Sequence, residues 1–457
     1  MRRNRVAAAC ALVLLCVASA SSLSARATNA PRVLLVCSGT AGCPRATPSS
    51  KVYRSLQVAV DHASNGDWIL VWPGQYDEAV NVAQGHGLTD GLHIRGMDRN
   101  GVVLDGSKVS GSGIHVYGVN NTWLENMTGQ HYHVGSSNAF YWTGVDGYWG
   151  RYLSGFDNGD YGIYAYDSTC TGEMPCALAY VYGSYNADSG IYIGGCRDCH
   201  AVVTNSRAYK NAIGYSGTNA GGELVLMNSE WDHNGAGLVP NTLTSEPDPP
   251  QSGVTIANNY IHDNNDPDVP GGGFSGIAPL GVGIDIAGGS ENIIRDNLIV
   301  NQKHQGVQTH WLFTPPINNQ VVHNTFKHTA YAAGLGDADI AFDVTGVQNC
   351  VYGNVDVTTG QKTPATTDPP GFANLNSCGP DNPLRQQGRG VYLPGDPIVS
   401  LMVALNSLGI TEKKHYSGPA SHPDAQKSMD NPCLGVPPNP WCANGAPTQT
   451  PPKKSHK

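Results

Sequence analysis

Short apolar stretches that alternate with polar positions recur along most of this chain, and turn residues separate them. The phrase Gly-Ile-Tyr occurs at residues 162–164 and again at 190–192, and each copy has an aspartate, Asp160 or Asp188, two places before its glycine. An apolar period of two is typical of half-buried β-strands. Helical periodicity is scarce after about residue 65, so the pattern predicts a protein built from many short strands.

The Gly-Ile phrase belongs to a repeat of 22–28 residues. Its anchors are Gly113, Ala139, Gly162, Gly190, Ala212, Gly237, Gly283 and Gly306. The longer interval between Gly237 and Gly283 contains Pro/Asp/Gly-rich stretches, which predict one coil with loop insertions. Because each unit is too small to bury an apolar face alone, the repeat predicts units that stack on one another.

Asparagines repeat in step with these anchors. One set is Asn158, Asn186, Asn211, Asn234, Asn264 and Asn301, and a second set is Asn126, Asn205, Asn228, Asn258, Asn297 and Asn324. Asparagine tolerates the left-handed backbone of tight turns, and its amide bonds neighbouring backbone or side chains. The sequence therefore predicts turns in which stacked asparagines bond one another.

The N-terminal part of the repeat carries a resemblance to a known family. Its segments are Tyr53–Asp61, Gly66–Tyr76 and Gly91–Gly106. Together with the repeat they resemble the right-handed parallel β-helix of the pectin-lyase-like superfamily, above all bacterial proteins with NosD-type and carbohydrate-binding/sugar-hydrolase (CASH) repeats. The resemblance covers roughly residues 33–357. It implies an all-β, single-stranded right-handed parallel β-helix (solenoid), whose open end is capped by an N-terminal helix with Leu56, Ala59 and Val60 facing inward.

The same resemblance leaves activity open, because this superfamily contains lyases, hydrolases, esterases, epimerases and non-enzymes. The chain has no Asp-Asp pair of the polygalacturonase kind and no Asp-Pro-His-Asp of the alginate-epimerase kind. The NosD-like resemblance also implies metal delivery, with copper or calcium, as a third interpretation beside enzyme and binding protein.

The pattern divides the chain into four parts. Residues 1–27 have basic arginines followed by an apolar run from Ala7 to Val17, which predicts a cleaved signal peptide and a secreted protein. Residues 28–357 are predicted to form the β-helix. Residues 358–445 are predicted as an irregular C-terminal extension with one short capping helix over Pro397–Leu408, and residues 446–457 as a disordered tail. No later segment approaches the ~20 apolar residues that a membrane span needs.

Cysteine usage agrees with export. Of the 12 cysteines, those beyond residue 27 fall into neighbouring pairs: Cys37/Cys43, Cys170/Cys176, Cys196/Cys199, Cys350/Cys378 and Cys433/Cys442. An even number in an exported chain favours disulfides, and we take neighbour pairing as a hypothesis. The alternative for Cys196 and Cys199 is half of a metal site, although no second C-x-x-C motif completes it.

Composition narrows the class of partner. The formal net charge is −9, and removal of the arginine-containing signal peptide makes it more negative. Nucleic acids and anionic membranes reward a basic surface, so neither is expected as a partner. A neutral or weakly charged polysaccharide or cell-surface glycan is expected instead.

Aromatic residues point to where such a glycan would bind. Alternate side chains of a strand face solvent, and the residues two places after each anchor are His115, Tyr141, Tyr164, Tyr192, Gly214, Val239, Asp285 and Gln308. Four places after it lie Tyr117, Thr143, Tyr166, Gly194, Ser216, Asn241, Ala287 and His310. The first coils thus predict an outer column of substrate-binding aromatic rings. In the alternative interpretation, the same rings pack under long loops.

Asp160 and Asp188 are the candidate catalytic pair. Equal registers in adjacent coils place them about 5 Å apart, given an inter-strand step of ~4.8 Å. That separation suits a retaining glycosidase, and two like charges at this distance raise one pKa, as an acid catalyst requires. Asp167, at the far end of the same strand, would assist. The alternatives are a Ca²⁺ site formed by the three aspartates, or aspartates that replace asparagine in turn hydrogen bonds.

Other polar groups carry weaker predictions. Asp232-His233 and His262-Asp263 occupy matching turns and are expected to belong to the turn ladder. His304, His310 and His323 lie on late coils, where solvated histidines are favoured over a metal site. The sequence therefore predicts a secreted carbohydrate-active β-helix, either a glycoside hydrolase or a polysaccharide lyase. The alternative is a non-catalytic β-helix that binds glycan or protein, and no cofactor is assigned with certainty.

Overall fold

The computed structural model describes residues 30–39, 43, 51–85, 87–135, 137–271, 279–379, 395–410 and 415–449. The predicted signal peptide lies outside these residues, as do residues 450–457 of the predicted tail. The contacts of the chain separate residues 1–30 from residues 31–457, and the second of these units is described below.

Three ladders of parallel strands run along the molecule. Ladder 1 consists of β1 (Val33–Val36), β3 (Trp68–Val71), β6 (His93–Gly96), β9 (Thr122–Gln130), β11 (Tyr148–Phe156), β13 (Cys176–Ala179), β16 (Ala201–Thr204), β19 (Val225–Met227), β22 (Thr255–Ala257), β25 (Ile293–Arg295), β28 (Gln320–Val322) and β31 (Cys350–Tyr352). Ladder 2 consists of β4 (Gly74–Tyr76), β7 (Val102–Asp105), the second halves of β9 and β11, β14 (Tyr182–Ser184), β17 (Arg207–Tyr209), β20 (Glu230–Asp232), β23 (Tyr260–His262), β26 (Leu298–Val300), β29 (Thr325–Lys327) and β32 (Val355–Asp356).

Ladder 3 carries most of the predicted site. It consists of β5 (Val80–Ala83), β8 (Ile114–Tyr117), β10 (Phe140–Thr143), β12 (Ile163–Tyr166), β15 (Ser189–Gly194), β18 (Ile213–Thr218), β21 (Ala236–Asn241), β24 (Val282–Ala287), β27 (Val307–His310), β30 (Ile340–Phe342) and β34 (Thr367–Asp368). The remaining strands are β2 (Val52–Tyr53), β33 (Thr363–Pro364), β35 (Cys442–Ala443) and β36 (Ala446–Pro447), and the helices are α1 (Leu56–Asp61), α2 (Phe372–Leu375) and α3 (Pro397–Ser407).

Successive coils stack in register, which makes the molecule a parallel β-solenoid. In ladder 3, Val116 pairs with Trp142, Trp142 with Ala165, and Ala165 with Ile193, and all four side chains are buried in the interior. Each coil alone would expose this apolar row, and stacking removes it from water. The predicted parallel solenoid is confirmed.

One coil has a different register from the expected one. Ile191 pairs with Tyr215, so the anchor of that coil is Gly214 and not Ala212. Tyr215 fills the interior, fully buried, and its hydroxyl group donates to the carbonyl of Ile193 at 3.2 Å. Ile213 lies outside the main core in a small apolar cluster with two other residues. The prediction was wrong here because a tyrosine with a hydrogen-bond partner occupies the interior position expected for isoleucine.

The asparagine row between ladders 2 and 3 is confirmed. The side-chain amide of each member donates to the next along Asn158, Asn186, Asn211, Asn234 and Asn264, at 2.8–3.0 Å. The prediction that Asn301 is the last member of this row was wrong by one residue. Gln302 takes that position, because its side-chain oxygen accepts from the backbone N–H of Asn264.

The second predicted asparagine set contains residues from two successive positions of the same turn, one with left-handed backbone and the next with a buried side chain. Asn126, Asn205, Asn228 and Asn258 have left-handed backbone, with φ of 61°, 51°, 51° and 55°. Asn297 and Asn324 lie one place later, where they continue a buried row that begins at Asn259. A third row, Asn292, Asn319 and Asn349, was not anticipated.

All five neighbouring cysteine pairs form disulfides, as the sequence predicted. Disulfides persist in oxidising compartments, so these bonds agree with an extracellular protein. None of the helices in the described ranges is both long and apolar enough to cross a membrane.

Both ends of the solenoid are covered. At the N-terminal end, α1 buries Leu56, Ala59 and Val60, as predicted. At the other end, Phe372 of α2 stacks on Phe342 with ring centroids 4.1 Å apart. The start of the predicted irregular extension (residues 358–445) therefore continues the solenoid, because β34 pairs with β30. The helix predicted over Pro397–Leu408 is present as α3, and it packs Val399 and Val403 beside Ala341.

Residues 415–449 form a C-terminal strap that runs back along the solenoid. Near its start, Ser417 bonds Asp268, and near its end Trp441 packs beside Trp72 of the first coils, with ring centroids 5.1 Å apart. Between them, the buried Arg95 guanidinium donates to backbone carbonyls of the strap. Within the strap, β36 pairs with β35 and lies at the start of the predicted tail.

Candidate functional site

An aromatic column lies on the outer face of ladder 3, as the register predicted. The ring centroids of His115 and Tyr141 are 4.3 Å apart, and those of Tyr141 and Tyr164 are 4.4 Å apart, both in stacked geometry. Tyr164 meets Tyr192 edge-on at 4.7 Å. Strand pairing sets this arrangement, because each ring lies directly beside its neighbour in the adjacent coil.

A second row runs beside the column. Tyr117 pairs with Thr143, and Thr143 pairs with Tyr166. Tyr117 is 58% exposed and Tyr166 is half-buried. His115 reaches across between the rows, with its Nε2 atom 3.3 Å from the hydroxyl oxygen of Thr143. The open part of the aromatic surface therefore extends over β8, β10 and β12.

The far end of the column is covered by residues 243–250, which we call the Glu246 loop. Tyr192 beneath it is 1% exposed. The buried Asn219 fixes the loop, because its side-chain amide donates to the carbonyls of Leu243 and Pro247 at 2.7 and 2.9 Å. For Tyr192, the alternative that the rings pack under long loops is the correct one.

Glu246 lies beside the predicted site, and the sequence did not identify it. Its Oε2 atom accepts a 2.9 Å hydrogen bond from the Tyr192 hydroxyl group. Burial raises the pKa of Glu246, while this hydrogen bond acts in the opposite direction. The sequence pointed to this residue only through the long repeat interval between Gly237 and Gly283 that contains it. Residues in a loop insertion do not follow the repeat, so spacing could not predict where Glu246 lies.

Asp160 and Asp188 are vertical neighbours, as predicted. The backbone N–H of Asp188 donates to the carbonyl oxygen of Asp160 at 2.9 Å. Asp160 is half-buried and Asp188 is 8% exposed. Burial, followed by the charge of Glu246, raises the pKa of Asp160 to about 6. The carboxylate that acts electrostatically on Asp160 is thus that of Glu246, which comes from the loop.

Two further residues complete the surroundings. Tyr161, which the sequence did not single out, has its ring 4.4 Å from Tyr164 and 4.8 Å from Tyr192. Burial, and then the nearby charge of Asp188, raises its pKa. Asp167 is exposed in a left-handed turn after β12. The pKa of Tyr166 is raised by burial, and then by the charges of Glu246 and Asp167. The aspartates therefore adjoin the aromatic surface from two sides.

The three histidines on late coils each have a partner of their own. His310 lies 3.0 Å from Asp285. His304 lies 3.1 Å from Asp337, and His323 packs edge-on against Tyr352. Among the described residues, the acidic and histidine side chains with ligand atoms within 4.8 Å of one another are Asp232, His233 and His262. Asp160, Asp167 and Asp188 do not form such a group in this part of the chain.

This geometry supports a specific kind of chemistry. An acid with a pKa near 6 carries a proton over part of the range in which most proteins are stable, and it can donate that proton to a leaving group. A second carboxylate nearby is the other component that glycoside cleavage uses. Stacked aromatic faces beside them offer flat apolar surfaces to a ligand.

The comparisons with known proteins concern the fold. The family model of the right-handed β-helix region matches residues 138–326 and 245–360. These residues form a right-handed β-helix region, and the protein is a right-handed parallel β-helix, as the resemblance implied. No curated protein sequence matches the chain.

Among solved structures, the A-module of mannuronan C-5 epimerase AlgE6 from Azotobacter vinelandii has a TM-score of 0.51 at 16% identity, over 68% of this chain and 82% of that one. The AlgE4 A-module from the same organism has a TM-score of 0.45 at 16% identity, over 66% and 90%. Pectate lyase Pel9A has a TM-score of 0.38 at 17% identity, over 74% and 78%. At such identity, the likeness to the AlgE6 module shows a shared fold and not a shared activity.

Proposed function

We propose that this protein binds a polysaccharide along the aromatic column and cleaves its glycosidic bonds, with Asp160 as the proton donor. The observation that carries the proposal is the position of Asp160, which lies half-buried just before β12, beside the stacked tyrosines and next to Asp188 of the adjacent coil. Burial and then the charge of Glu246 raise its pKa to about 6 there. Catalytic acids require this kind of environment.

Each neighbouring group has a role in the proposal. Tyr141, Tyr164 and His115 hold sugar rings by stacking, and Tyr117 and Tyr166 extend the surface at its open side. Glu246 supplies the second carboxylate, and its Oε1 atom is the one that the Tyr192 hydrogen bond leaves for the substrate. Asp188 keeps Asp160 in position through the hydrogen bond between their backbones. Asp167 assists from the exposed end of β12.

The proposal is tested by a glycan-array screen of the secreted chain, followed by product analysis on each hit. Wild-type protein is expected to release fragments from a bound polysaccharide. Asp160→Asn is expected to bind the same glycan and release none. Asp157→Asn, a matched change on the same coil, is expected to behave as wild type. New reducing ends without an unsaturated sugar indicate hydrolysis, whereas an unsaturated end indicates a lyase.

A second candidate function is glycan binding without cleavage. The hydrogen bond between Tyr192 and Glu246 favours it, because this bond engages one oxygen of a proposed catalytic carboxylate in holding the loop. Array hits with no products from wild-type protein at pH values on either side of about 6, where Asp160 titrates, would establish this function and contradict the first.

A further inference from the structure

A cluster of metal-binding side chains lies on ladder 2, on a different face from the aromatic column. Asp232 ends β20 and pairs with His262, which ends β23 in the adjacent coil. His233 follows Asp232 in a left-handed turn with φ of 55°. One ligand atom from each of these three side chains lies within 4.8 Å of the other two.

Two of the three side chains are already oriented by partners. The Asp232 side chain is fully buried, and Arg207 donates to both of its oxygens, at 2.7 and 2.6 Å. The Nδ1 atom of His262 lies 2.7 Å from Asp263, and the Tyr260 ring stacks on the imidazole at 4.0 Å. Metal-binding histidines commonly hold a carboxylate with their second nitrogen, which fixes the ring toward the ion.

The charge of the cluster also favours a cation. The carboxylates of Glu230 and Asp232 lie 3.7 and 2.6 Å from the guanidinium of Arg207. A third carboxylate, that of Asp263, adjoins the cluster through His262, 2.7 Å away. Lys210 is engaged by a different acid, Asp266, at 3.0 Å. A divalent ion added to three carboxylates and one guanidinium brings the group to neutrality, which lowers the repulsion among the acids.

We propose that Asp232, His233 and His262 bind one Zn²⁺ ion, with Glu230 as the fourth ligand. The Oε1 atom of Glu230 lies 3.2 Å from Nε2 of His262, the ring nitrogen on the side opposite Asp263. Two imidazoles with two carboxylates suit zinc, whereas Ca²⁺ and Mg²⁺ prefer oxygen ligands alone.

Asp232, His233 and His262 need only small side-chain movements, because their ligand atoms already lie within 4.8 Å of one another. Ligand atoms on one tetrahedral zinc lie about 3.3 Å apart, given metal–ligand distances of ~2.0 Å. A surface groove of about 740 Å³ is lined by Glu230, the fourth ligand, together with Arg207 and Tyr260, and the His233 side chain is 43% exposed. The ion would join two adjacent coils at the edge of this groove.

The test is a calorimetric titration of the secreted chain, free of any histidine tag and treated with chelator, with Zn²⁺ and separately with Ca²⁺. Wild-type protein is expected to bind one equivalent of Zn²⁺, and His233→Gln and His262→Gln to bind it at least ~10-fold more weakly. Substitution by Co²⁺ is expected to give the visible spectrum of a tetrahedral site. His133→Gln changes a histidine on a distant turn and is expected to bind Zn²⁺ as wild type does.

Folding is checked independently of the metal. The far-ultraviolet circular dichroism of each variant in chelator is expected to match that of the wild-type protein. Asp263→Asn keeps all four proposed ligands and is expected to weaken binding by about 10–100-fold, because it removes the partner of His262. The proposal is overturned if wild-type protein binds no Zn²⁺, if both glutamine variants bind it unchanged, or if Ca²⁺ binds equally well at the same residues.

Discussion

The hydroxyl group of Tyr192 donates a 2.9 Å hydrogen bond to Glu246, a residue that follows it by 54 positions in the chain. Through this bond an insertion in the repeat folds back over the aromatic column and closes one end. The column then has an open part, from His115 to Tyr164, and a covered end at Tyr192 that carries a carboxylate. A chain-like ligand that enters along the open rings would end at the acids.

The stacked rings are predicted to provide affinity. Tyr164→Ala removes the central ring of the column and is expected to weaken glycan binding by about 0.5–1.5 kcal/mol, the usual value of an aromatic pair beyond its buried area. Tyr164→Phe keeps the ring and is its matched control. Binding is measured by calorimetry with an array-positive polysaccharide, and equal affinities for the alanine variant and the wild type would exclude the column as the binding surface.

Asp160 is predicted to lower stability at neutral pH. Since its pKa rises from 3.8 to about 6 on folding, the native state keeps a proton that the unfolded chain releases. The free energy of unfolding therefore falls as pH rises through this window. Asp160→Asn is expected to be more stable than wild type at pH 7 by about 1–2 kcal/mol, allowing for partial exposure.

That difference is expected to disappear well below the unfolded pKa of 3.8, where Asp160 is protonated in both states. Denaturant unfolding at the two pH values measures this stability difference. Asp157→Asn is the control for the replacement of an aspartate by asparagine on the same coil. A variant that is less stable than wild type at neutral pH would mean that the ionised Asp160 is stabilised in the fold.

The asparagine row is predicted to contribute strongly to stability. Asn211 is fully buried, and its Oδ1 atom accepts from the backbone N–H and side-chain amide of Asn186, while its own amide donates to Asn234 and Gly183. Asn211→Ala leaves these buried groups unpaired, at a cost of about 3 kcal/mol or more.

The matched control for this row is Asn205→Gly, which changes an exposed asparagine with φ of 51°. Glycine adopts that backbone readily, so a change of only a few tenths of a kcal/mol is expected, as for an exposed site. The denaturation midpoints of the two variants make the comparison. Similar midpoints would indicate that the buried amide row is not a main source of stability.

The C-terminal strap is predicted to detach when its anchor is removed. Trp441 is 1% exposed and packs among Leu35, Trp72 and Met97. Replacement of a buried tryptophan by alanine costs about 3–5 kcal/mol. We expect Trp441→Ala to make residues 415–449 sensitive to limited proteolysis while the solenoid resists. Trp311→Ala, at a half-exposed tryptophan, is expected to leave the digestion pattern unchanged.

The repeat in the sequence predicted the fold and the rings because both depend on register. A side chain two places after a glycine anchor reaches the same face in every coil, so the stacking of His115, Tyr141 and Tyr164 followed from spacing alone. The coil of Tyr215 was misjudged because two candidate anchors lie two residues apart, and only the packed interior selects one.

Glu246 and the proposed zinc site could not be derived in this way. Glu246 belongs to an insertion, whose position over the column depends on hydrogen bonds from Asn219 that no repeat encodes. The sequence did place Asp232 and His262 in matching turns. Their convergence with His233 depends on side-chain directions in the turn, which spacing does not specify.

The proposed chemistry requires that Asp160 is an uncharged acid when the pH approaches 6. Carbon-13 NMR of protein labelled at its aspartate carboxyl groups measures this directly, and Asp160→Asn assigns the signal. We predict a titration midpoint near pH 6 in the wild-type protein. In Glu246→Gln the midpoint is predicted to be lower, because one neighbouring negative charge is removed. A midpoint near the ordinary aspartate value of 3.8, the same in both proteins, would contradict the account.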